Sequence, residues 1–313
     1  MPLVACVVLN WNGMSILNDG KPILETCLRT LAKTKYDNFK IIVVDASSHD
    51  SSANYIKTKF KGMDLLNVEN IGWTHGNNMG AKQAYKMYPN TKYFVFLNND
   101  LEFTDELWLK KLVDAAEKDP KIGVVGAKLL HSDGKIDNCG AHISMSGLIS
   151  LDSNPNLSKY TKLISGAAIM IKKDTISGIG LFDETYLPFY GDETDYCERV
   201  RKAGYLIYYV SEASIVHGSQ KSTHQINNIK PTFTREQIIY ALIRNTYIFV
   251  LRHYPNRIVN SVIFSFVRSF ITATPIIRIR KPNEIRYMLP MVFTALGDAL
   301  SNYKTYKIGK LSD

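Results

Sequence analysis

Short apolar runs alternate with helix-like patterns through the first 120 residues of the chain. Residues 3–9, 41–44 and 93–97 are continuous apolar runs, as expected for strands that are buried on both faces of a sheet. Between these runs, residues 22–34 and 77–88 carry apolar side chains at helical spacing. This alternation predicts an α/β fold with a mainly parallel central sheet and flanking helices.

The pattern is less regular further along. Residues 107–117 and 194–202 predict helices, and residues 164–171 and 205–210 predict strands. Residues 128–162 are polar and rich in Gly, Ser and Asn. They therefore predict loops and small hairpins.

Positive charge is concentrated in one part of the chain. Residues 1–225 carry 25 Lys and Arg and 25 Asp and Glu, whereas residues 226–313 carry 13 and 4 respectively, so the whole excess of +9 lies in the second part. This asymmetry predicts two regions, 1–225 and 226–313, with a basic tail that meets an anionic membrane or a nucleic acid. A solvated basic surface is the alternative.

The tail is also apolar. Residues 236–253 predict a long helix, and the apolar stretch 258–277 contains Arg268 and Pro275. A central arginine costs about 2.5–3.5 kcal/mol in a membrane span, which favours helices that lie on the membrane surface. Apolar residues among the basic ones favour lipid over nucleic acid.

We therefore expect a peripheral or monotopic protein at the cytoplasmic face of the cell membrane, without a nucleic-acid partner. The alternative is a helical cap, in which the tail buries its apolar faces against the rest of the chain or against a second subunit. No CxxC pair occurs among the four cysteines, so we expect neither a disulfide framework nor a zinc knuckle. The first residues predict a strand and not a signal peptide.

Polar side chains directly follow three of the predicted strands. Asn10 and Asn12 come after the first, Asp45 after the second, and Asn99 and Asp100 after a third. Ligands bind at the carboxyl ends of the strands in an open parallel sheet, so these side chains are candidates for a binding site. Turns and helix caps also favour Asn and Asp, which is the alternative for each residue taken singly.

Three further features suit a metal ion or an anionic ligand. Asp100 can hold a divalent metal against a diphosphate leaving group. Residues 70–78 form a Gly- and Asn-rich loop that contains Asn77 and Asn78 and opens a predicted helix. Backbone N–H groups at a helix start bind anions, although an ordinary capped loop has the same composition. His217 follows the last predicted strand and is either a surface histidine or part of a site.

A cluster of acids, Asp192, Glu193 and Asp195, precedes or opens the helix predicted at 194–202. Acids in a first turn complement the helix dipole, but three in four residues exceed what a cap needs. A helix start also keeps a carboxylate ionised, as a general base requires. Asp195 is spaced to pair with Arg199 one turn later, which we expect to be a structural contact.

The motifs occur in a fixed order along the chain. They are Leu9-Asn10-Trp11-Asn12-Gly13; Ile42-Val43-Val44-Asp45 with Ser48 and Asp50; Asn70-Ile71-Gly72-Trp73 with Gly76-Asn77-Asn78; Phe96-Leu97-Asn98-Asn99-Asp100; Ser165-Gly166-Ala167-Ala168; Gly180-Leu181-Phe182-Asp183-Glu184; the acidic cluster with Cys197, Arg199, Ala203 and Gly204; and Val216-His217. This order resembles the family-two inverting glycosyltransferases of the GT-A fold, particularly their rhamnosyltransferase-like branch. The resemblance covers roughly residues 3–220.

The resemblance implies a Rossmann-like GT-A catalytic domain over residues 1–225. It also implies transfer of a sugar from a nucleotide-diphosphate sugar to an acceptor hydroxyl, with a lipid-linked glycan as the expected acceptor. The residues implied in binding the nucleotide sugar are Asn10, Asn12, Asp45, Asn77, Asn78 and Asn99. Among these, Asp45 matches the carboxylate that contacts the nucleotide base.

The resemblance also implies a divalent metal, Mn²⁺ or Mg²⁺. Asp100 matches the last acid of the DXD motif, whose first acid is here Asn98, and His217 matches a histidine that completes the metal site in some relatives. Asp192 and Glu193 match the Glu-Asp pair that supplies the catalytic base. Their order is inverted here, so both are candidates, and by position the base is Glu193.

Two other classes of protein are open on the sequence alone. A nucleotidyltransferase shares the α/β architecture and the metal carboxylate, but it usually has a Gly-rich basic loop where this chain has Asn10-Trp11-Asn12-Gly13. A non-enzymatic protein that binds a membrane surface would account for the basic tail but not for the clustered acids.

Overall fold

The computed structural model describes residues 1–143, 149–188, 190–218, 233–263 and 285–313. The strands are β1 (Val4–Asn10), β2 (Leu17–Asn18), β3 (Lys21–Pro22), β4 (Phe39–Ala46), β5 (Asp64–Val68), β6 (Tyr93–Asn98), β7 (Leu101–Glu102), β8 (Ile122–Leu130), β9 (Ile136–Asn138), β10 (Ala141–Ile143), β11 (Ile149–Leu151), β12 (Lys159–Thr161), β13 (Ala168–Lys172) and β14 (Leu206–His217). The helices are α1 (Ile23–Leu31), α2 (Ser52–Lys59), α3 (Trp73–Met87), α4 (Trp108–Glu117), α5 (Lys173–Ile179), α6 (Asp192–Lys202), α7 (Arg235–His253) and α8 (Ile285–Asn302), with 3-10 turns at Glu184–Tyr186 and Pro255–Arg257.

One large sheet runs through the molecule in the order β12-β14-β8-β13-β6-β1-β4-β5. Strands β6, β1, β4 and β5 are mutually parallel, and β14 is parallel to β8. Strand β13 lies antiparallel between β6 and β8, and β12 is an antiparallel edge strand. Four of the seven pairings along this order are parallel, so the predicted α/β fold with a mainly parallel sheet is confirmed.

Helices cover both faces of the sheet. Successive side chains of a strand point to opposite faces. Ala5 and Val7 of β1 therefore pack into a core with α3, while Val4 and Cys6 pack into a second core with α1 and α4. The approach of α3 is close, because a Cβ at Gly80 would lie 2.3 Å from Val7 Cγ1. Burial on both faces explains why the strands are continuous apolar runs in the sequence.

The predicted order of elements is present as far as α4, whereas the start of helix α3 and the presence of strand β8 differ from the prediction. Helix α3 begins at Trp73, four residues before the predicted start, so Asn77 and Asn78 lie within the helix. Strand β8 was not predicted, although its residues Ile122–Leu130 are almost all buried. Two glycines in this strand, Gly123 and Gly126, lower its strand propensity, and close neighbours explain them. A Cβ at Gly126 would lie 2.3 Å from Ile164 Cγ2.

Helices α7 and α8 pack onto the α3 side of the sheet. Tyr247 and Val250 of α7 and Ala295 and Ala299 of α8 are 0% exposed and belong to the core that contains Ala5. The described parts of the tail therefore agree with the alternative given above, a helical cap that buries its apolar faces against the rest of the chain. The boundary expected near residue 225 and the basic residues Arg268, Arg278, Arg280 and Lys281 lie outside the described residues.

Within the described ranges, no helix is both long enough and apolar enough to cross a bilayer.

Residues 303–313 also return to the sheet-bearing part of the molecule. Leu181 N donates to Gly309 O at 2.9 Å, and Glu184 N donates to Lys307 O at 3.0 Å. Asp183 Oδ1 accepts a hydrogen bond from Lys307 N at 2.9 Å. Backbone hydrogen bonds from residues 303–313 therefore hold the segment between α5 and α6 in place.

A buried cluster of charged side chains joins the end of α7 to the start of α6. Arg252 Nη1 lies 3.0 Å from Asp183 Oδ2 and 3.8 Å from Asp195 Oδ1, and all three side chains are 0% exposed. His253 Nε2 lies 2.8 Å from Asp195 Oδ1. Arg199 Nε donates to Asp195 Oδ2 at 2.7 Å, so the predicted structural pair is confirmed. The cluster fixes α6 against α7.

Candidate active site

The carboxyl ends of β1, β4 and β6 bring three of the predicted residues together. Asn10 lies opposite Asp45 in the parallel register, and Asn10 Nδ2 donates to Asp45 Oδ1 at 2.7 Å. Asn99 Nδ2 donates to Asn10 Oδ1 at 2.7 Å. Ser48 adds hydrogen bonds from its backbone N–H and its hydroxyl to the Asp45 carboxylate. Asn99, Asn10 and Asp45 form one hydrogen-bonded row, which we call the strand-end row.

The turn after β1 packs closely against the strand-end row. A Cβ at Gly13 would lie 2.4 Å from Asn10 Oδ1 and 2.8 Å from Asn99 Nδ2, so only glycine fits there without displacing the row. Asn12 is also buried. Its Oδ1 accepts a hydrogen bond from His49 N at 2.7 Å, but its Nδ2 has no hydrogen-bond partner. A buried polar group without a partner costs about 1–3 kcal/mol, which an oxygen of a ligand would relieve.

The two predicted asparagines of α3 use their amides differently. Asn77 Nδ2 donates to Trp73 O at 3.0 Å, and Asn77 Oδ1 is buried without a partner. Asn78 Nδ2 donates to Phe182 O at 3.0 Å, while Phe182 N donates to Asn78 Oδ1 at 3.2 Å. The amide of Asn78 is thus committed to holding the segment after α5. Of the two residues, Asn77 keeps an acceptor available for a ligand.

Asp192 and Glu193 open α6 and form an acidic pair. Asp192 is 3% exposed, and its Oδ2 accepts a hydrogen bond from Thr74 Oγ1 at 2.5 Å. Its Oδ1 accepts from Glu193 N at 3.2 Å. Gly191 precedes the pair with φ +91°, a left-handed conformation that glycine adopts readily. The pair therefore lies where α3 and α6 meet, with Asp192 held by two donors and Glu193 partly exposed.

Burial and the charge of Asp192 raise the pKa of Glu193 well above the ordinary glutamate value of 4.5. The helix start predicts an ionised carboxylate here, and the raised pKa of Glu193 acts against that prediction. The dipole of α6 does favour the charged form. Desolvation of the carboxyl group acts in the opposite direction and is larger. A raised pKa suits a general base, which works best when its pKa lies near the operating pH.

Trp73 connects the strand-end row to the acidic pair. Trp73 Nε1 donates to Asn98 Oδ1 at 3.0 Å, and Asn98 directly precedes Asn99 of the row. On the other side, a Cβ at Gly166 would lie 3.1 Å from Trp73 Cζ2 and 3.4 Å from Glu193 Cβ. Trp73 and Glu193 therefore both border Gly166, which places the acidic pair near the strand-end row.

The two predicted metal ligands are also brought together. Strand β7 pairs with the end of β14, so that His217 lies opposite Leu101, and His217 Nε2 lies 3.4 Å from Asp100 Oδ1. His217 Nδ1 lies 2.7 Å from Asp137 Oδ2. Burial alone would lower the pKa of His217, but hydrogen bonds to Asp100 and Asp137 outweigh it and raise the pKa to about 10.

This donor set fits a divalent cation that is shared with a substrate. Asp100 and His217 offer one carboxylate and one imidazole. Over the ranges that the structure describes, no group of three or more His, Cys, Asp or Glu side chains forms a closed metal cage. Mg²⁺ is usually bound by one or two carboxylates plus substrate phosphates, so a closed cage is not required. The residues present therefore suit a cation whose remaining ligands come from a diphosphate and water.

Two side chains of the site were not predicted. Thr74 lies inside the Gly- and Asn-rich motif, but nothing in the sequence ties its hydroxyl to Asp192, 118 positions away. Asp137 lies in the polar stretch that predicted only loops and hairpins, 80 positions from His217. The contact of Asp137 with a second histidine, His131, at 3.6 Å is likewise seen only in the structure.

A family model described as Glycosyl transferase family 2 matches residues 13–173, about half of the chain. O-antigen biosynthesis protein RfbC of Myxococcus xanthus is 25% identical over 224 residues, which is 65% of this chain and 17% of that protein. An N-acetylglucosaminyl-diphospho-decaprenol L-rhamnosyltransferase of Mycobacterium tuberculosis is 22% identical over 228 residues, 64% of this chain and 74% of that protein. The chain spans about a quarter or less of the length of the first curated relatives that it matches.

Among solved structures, the fold is similar to the mannosyltransferase PcManGT of Pyrobaculum calidifontis, a complex with GDP-Man and Mn²⁺. The TM-score is 0.55 at 16% sequence identity, and the alignment covers 96% of this chain and 76% of that one. At this identity the likeness shows a shared fold.

Proposed function

The chain belongs to glycosyl transferase family 2, and from that premise we propose that it is an inverting, metal-dependent enzyme. It transfers a sugar from a nucleoside diphosphate donor to an acceptor hydroxyl. The observation that carries this proposal is the acidic pair at the start of α6, next to the strand-end row. The pair provides a base with a raised pKa beside a row of amides and a carboxylate suited to a nucleotide.

Glu193 is the base in this proposal. Both oxygens of Asp192 already accept hydrogen bonds, from Thr74 Oγ1 and from Glu193 N, whereas Glu193 is partly exposed. The carboxylate of Glu193 accepts the proton of the acceptor hydroxyl while that oxygen attacks the anomeric carbon. The bond from the anomeric carbon to the diphosphate oxygen breaks on the opposite face, so the anomeric configuration inverts. Asp192 orients Glu193 and maintains its raised pKa.

The donor is held by the other side of the site. We assign Asp45 to the nucleotide base, and the unpartnered Asn12 Nδ2 and Asn77 Oδ1 to further contacts with the donor sugar nucleotide, as one hydrogen-bond donor and one acceptor. Asp100 and His217 would hold a divalent metal, which when bound neutralises charge on the departing diphosphate. The similar fold of PcManGT was solved with GDP-Man and Mn²⁺, which supports this choice of ligands.

Product analysis tests the reaction. Nucleotide sugars with Mn²⁺ or Mg²⁺ should be screened first by thermal shift, since a ligand that binds only the folded state raises its stability. With the donor found in this way, we expect release of a nucleoside diphosphate, inversion of the anomeric carbon by NMR, and loss of turnover with EDTA. Release of pyrophosphate would instead indicate a nucleotidyltransferase, and a retained configuration would contradict the one-step displacement.

The acceptor that we propose is lipid-linked. The mycobacterial relative carries a diphospho-decaprenol acceptor in its name. In this chain, an apolar cavity of about 430 Å³ lies between α7, α8 and Pro188, four residues before Asp192. Arg244 and Glu236 both line this cavity, and Arg244 donates to Leu187 O at 2.8 Å. The apolar part of the wall suits a lipid, and Arg244 is the group that would meet a phosphate.

The localisation that we propose is the cytoplasmic surface of the membrane, through the basic part of the tail. Because α7 and α8 share a core with the sheet, deletion of the tail would expose that core and give an ambiguous result. Charge removal within the intact chain is the cleaner test. Each basic residue near an anionic surface contributes about 1 kcal/mol, and salt screens the attraction.

We expect the full chain to sediment with anionic vesicles, less with neutral vesicles and less at high salt. Combined substitution of Arg278→Gln, Arg280→Gln and Lys281→Gln should weaken this binding by about 10²-fold, since three charges at about 1 kcal/mol each are lost. The matched control removes the same charge elsewhere, with Lys57→Gln, Lys59→Gln and Lys61→Gln. Equal binding by both triple variants, or no sedimentation of the wild type, would contradict the proposed localisation.

A further inference from the structure

Asp137 makes contacts that the proposed reaction does not use. Its Oδ2 lies 2.7 Å from His217 Nδ1, and its Oδ1 lies 3.6 Å from His131 Nε2. The side chain of His217 is 11% exposed and that of Asp137 is 20% exposed. The contact is therefore shielded, and it joins the one ring nitrogen of His217 that faces away from Asp100.

The sheet builds this arrangement from three separate pairings. The end of β14 lies between β7 on one side and β8 on the other, with Val216 opposite both Glu102 and Leu130. Strand β9 then pairs antiparallel with β8, with Ile136 opposite Leu130. As a result, Asp100 lies on one side of His217 and Asp137 lies on the other.

We propose that Asp137 is a positioning residue for the metal site: by accepting the Nδ1–H of His217, it holds the ring so that Nε2, on the side of Asp100, is the nitrogen offered to a cation. This inference rests on the proposed metal dependence of the enzyme. It assigns no metal contact to Asp137 itself.

The chemistry of imidazole gives the reason. A neutral histidine carries a proton on one ring nitrogen only, and the nitrogen that binds a metal must present a lone pair. Nε2 would give up its proton to bind a cation, and the carboxylate at Nδ1 keeps the remaining proton on that nitrogen. The same carboxylate limits rotation of the ring and raises the basicity of the ligating nitrogen. Loss of such a partner typically weakens metal affinity by about 10–100-fold.

A nearby acid provides a matched control. Asp133 lines the same cavity of about 450 Å³ as His131 and His217. Its carboxylate pairs with Lys135 at 2.7 Å and is 53% exposed. Asp133→Ala therefore removes one negative charge from this region without removing a contact of His217.

Binding of Mn²⁺ to the full chain tests the proposal, with free Mn²⁺ measured by electron paramagnetic resonance and folding checked by thermal unfolding. We expect Asp137→Ala to bind Mn²⁺ about 10–100-fold more weakly, Asp133→Ala to match the wild type, and Asp100→Ala to lose the site. Asp137→Glu, which keeps the carboxylate, should recover part of the affinity. Wild-type affinity in a folded Asp137→Ala variant would overturn the inference and leave the proposed function standing.

A second measurement uses the wild-type chain alone, so it holds even where Asp137→Ala does not fold. In the Mg²⁺-loaded protein, long-range proton–nitrogen NMR correlations of His217 should show the proton on Nδ1. A proton on Nε2 would overturn the inference. If the wild type binds neither Mn²⁺ nor Mg²⁺, the metal dependence of the proposed function fails together with it.

Discussion

Glu193→Gln should lower turnover by about 10²–10⁴-fold, the usual contribution of a general base, while donor affinity stays close to that of the wild type. The amide keeps the shape of the side chain and cannot accept the proton of the acceptor hydroxyl. The donor contacts that we propose lie in the strand-end row and at Asn12 and Asn77, and none involves Glu193. Steady-state kinetics at saturating donor, together with calorimetric titration of the donor, would separate the two effects.

Two variants on the same helix act as controls. Asp192→Asn should reduce turnover less, because Asp192 orients its neighbour and its two oxygens are already engaged. Glu198→Gln removes a carboxylate that pairs with Arg201 at 2.5 Å, and it should leave turnover essentially unchanged. If Asp192→Asn is the more damaging change while folding and donor binding persist, Asp192 is the base and our assignment is wrong.

The raised pKa of Glu193 gives this prediction a second readout. At pH values between the ordinary glutamate pKa and the raised one, the unfolded chain loses its proton while the folded chain keeps it, so stability falls as pH rises through this window. Above the raised pKa both states are deprotonated, and the loss of stability stays at its full value. Glu193→Gln removes the titrating group and should raise the melting temperature at neutral pH but not at pH 4. An equal shift at both pH values would argue against the pKa as its cause.

Arg252→Met should destabilise the fold by about 3–5 kcal/mol, the usual cost of removing one partner of a buried ion pair. The substitution takes the guanidinium away from the carboxylates of Asp183 and Asp195, both 0% exposed, and Asp195 keeps its pair with Arg199. It also removes hydrogen bonds from Arg252 Nε to Tyr303 O at 2.7 Å and from Nη2 to Thr305 O. Urea unfolding at pH 7 would measure the loss.

The matched control is Arg29→Met, which breaks an ion pair with Glu25 on the surface of α1, where the arginine is 60% exposed. Exposed pairs contribute little, so the control should change the free energy of unfolding far less. A cost at Arg252 as small as that at Arg29 would mean that water reaches the buried cluster.

The parts of the site that depend on strand ends could be predicted from the sequence. Asn10, Asp45 and Asn99 follow apolar runs directly, and parallel strands bring their carboxyl ends to one edge, so their proximity follows from the fold class. Asp192 and Glu193 could be found because three acids exceed the needs of a helix cap. In these cases local pattern and topology agree.

The remaining parts depend on contacts that no local pattern encodes. Asp137 reaches His217 only through the pairing of β9 with β8 and of β8 with β14, and short polar strands carry little periodic signal. The pKa of Glu193 follows from burial by tertiary packing, which the helix dipole alone does not reveal. The packing of the tail could not be inferred either, because apolar helices with basic residues suit a protein core and a membrane surface equally well.

The buried cation between α6 and α7 also has a consequence for how the protein is made. Arg252 follows Asp183 by 69 positions in the chain. Translation at about 5–20 residues per second therefore separates the two by roughly 3–14 s. Once β14 has been made, the nascent chain holds the strands of the sheet and the residues of the strand-end row, but Asp183 still lacks its ion-pair partner Arg252. Helix α6 gains its contacts with Arg252 and His253 only after α7 has been made, so we expect a ribosome-bound chain that stops short of α7 to form the sheet but to hold α6 less firmly.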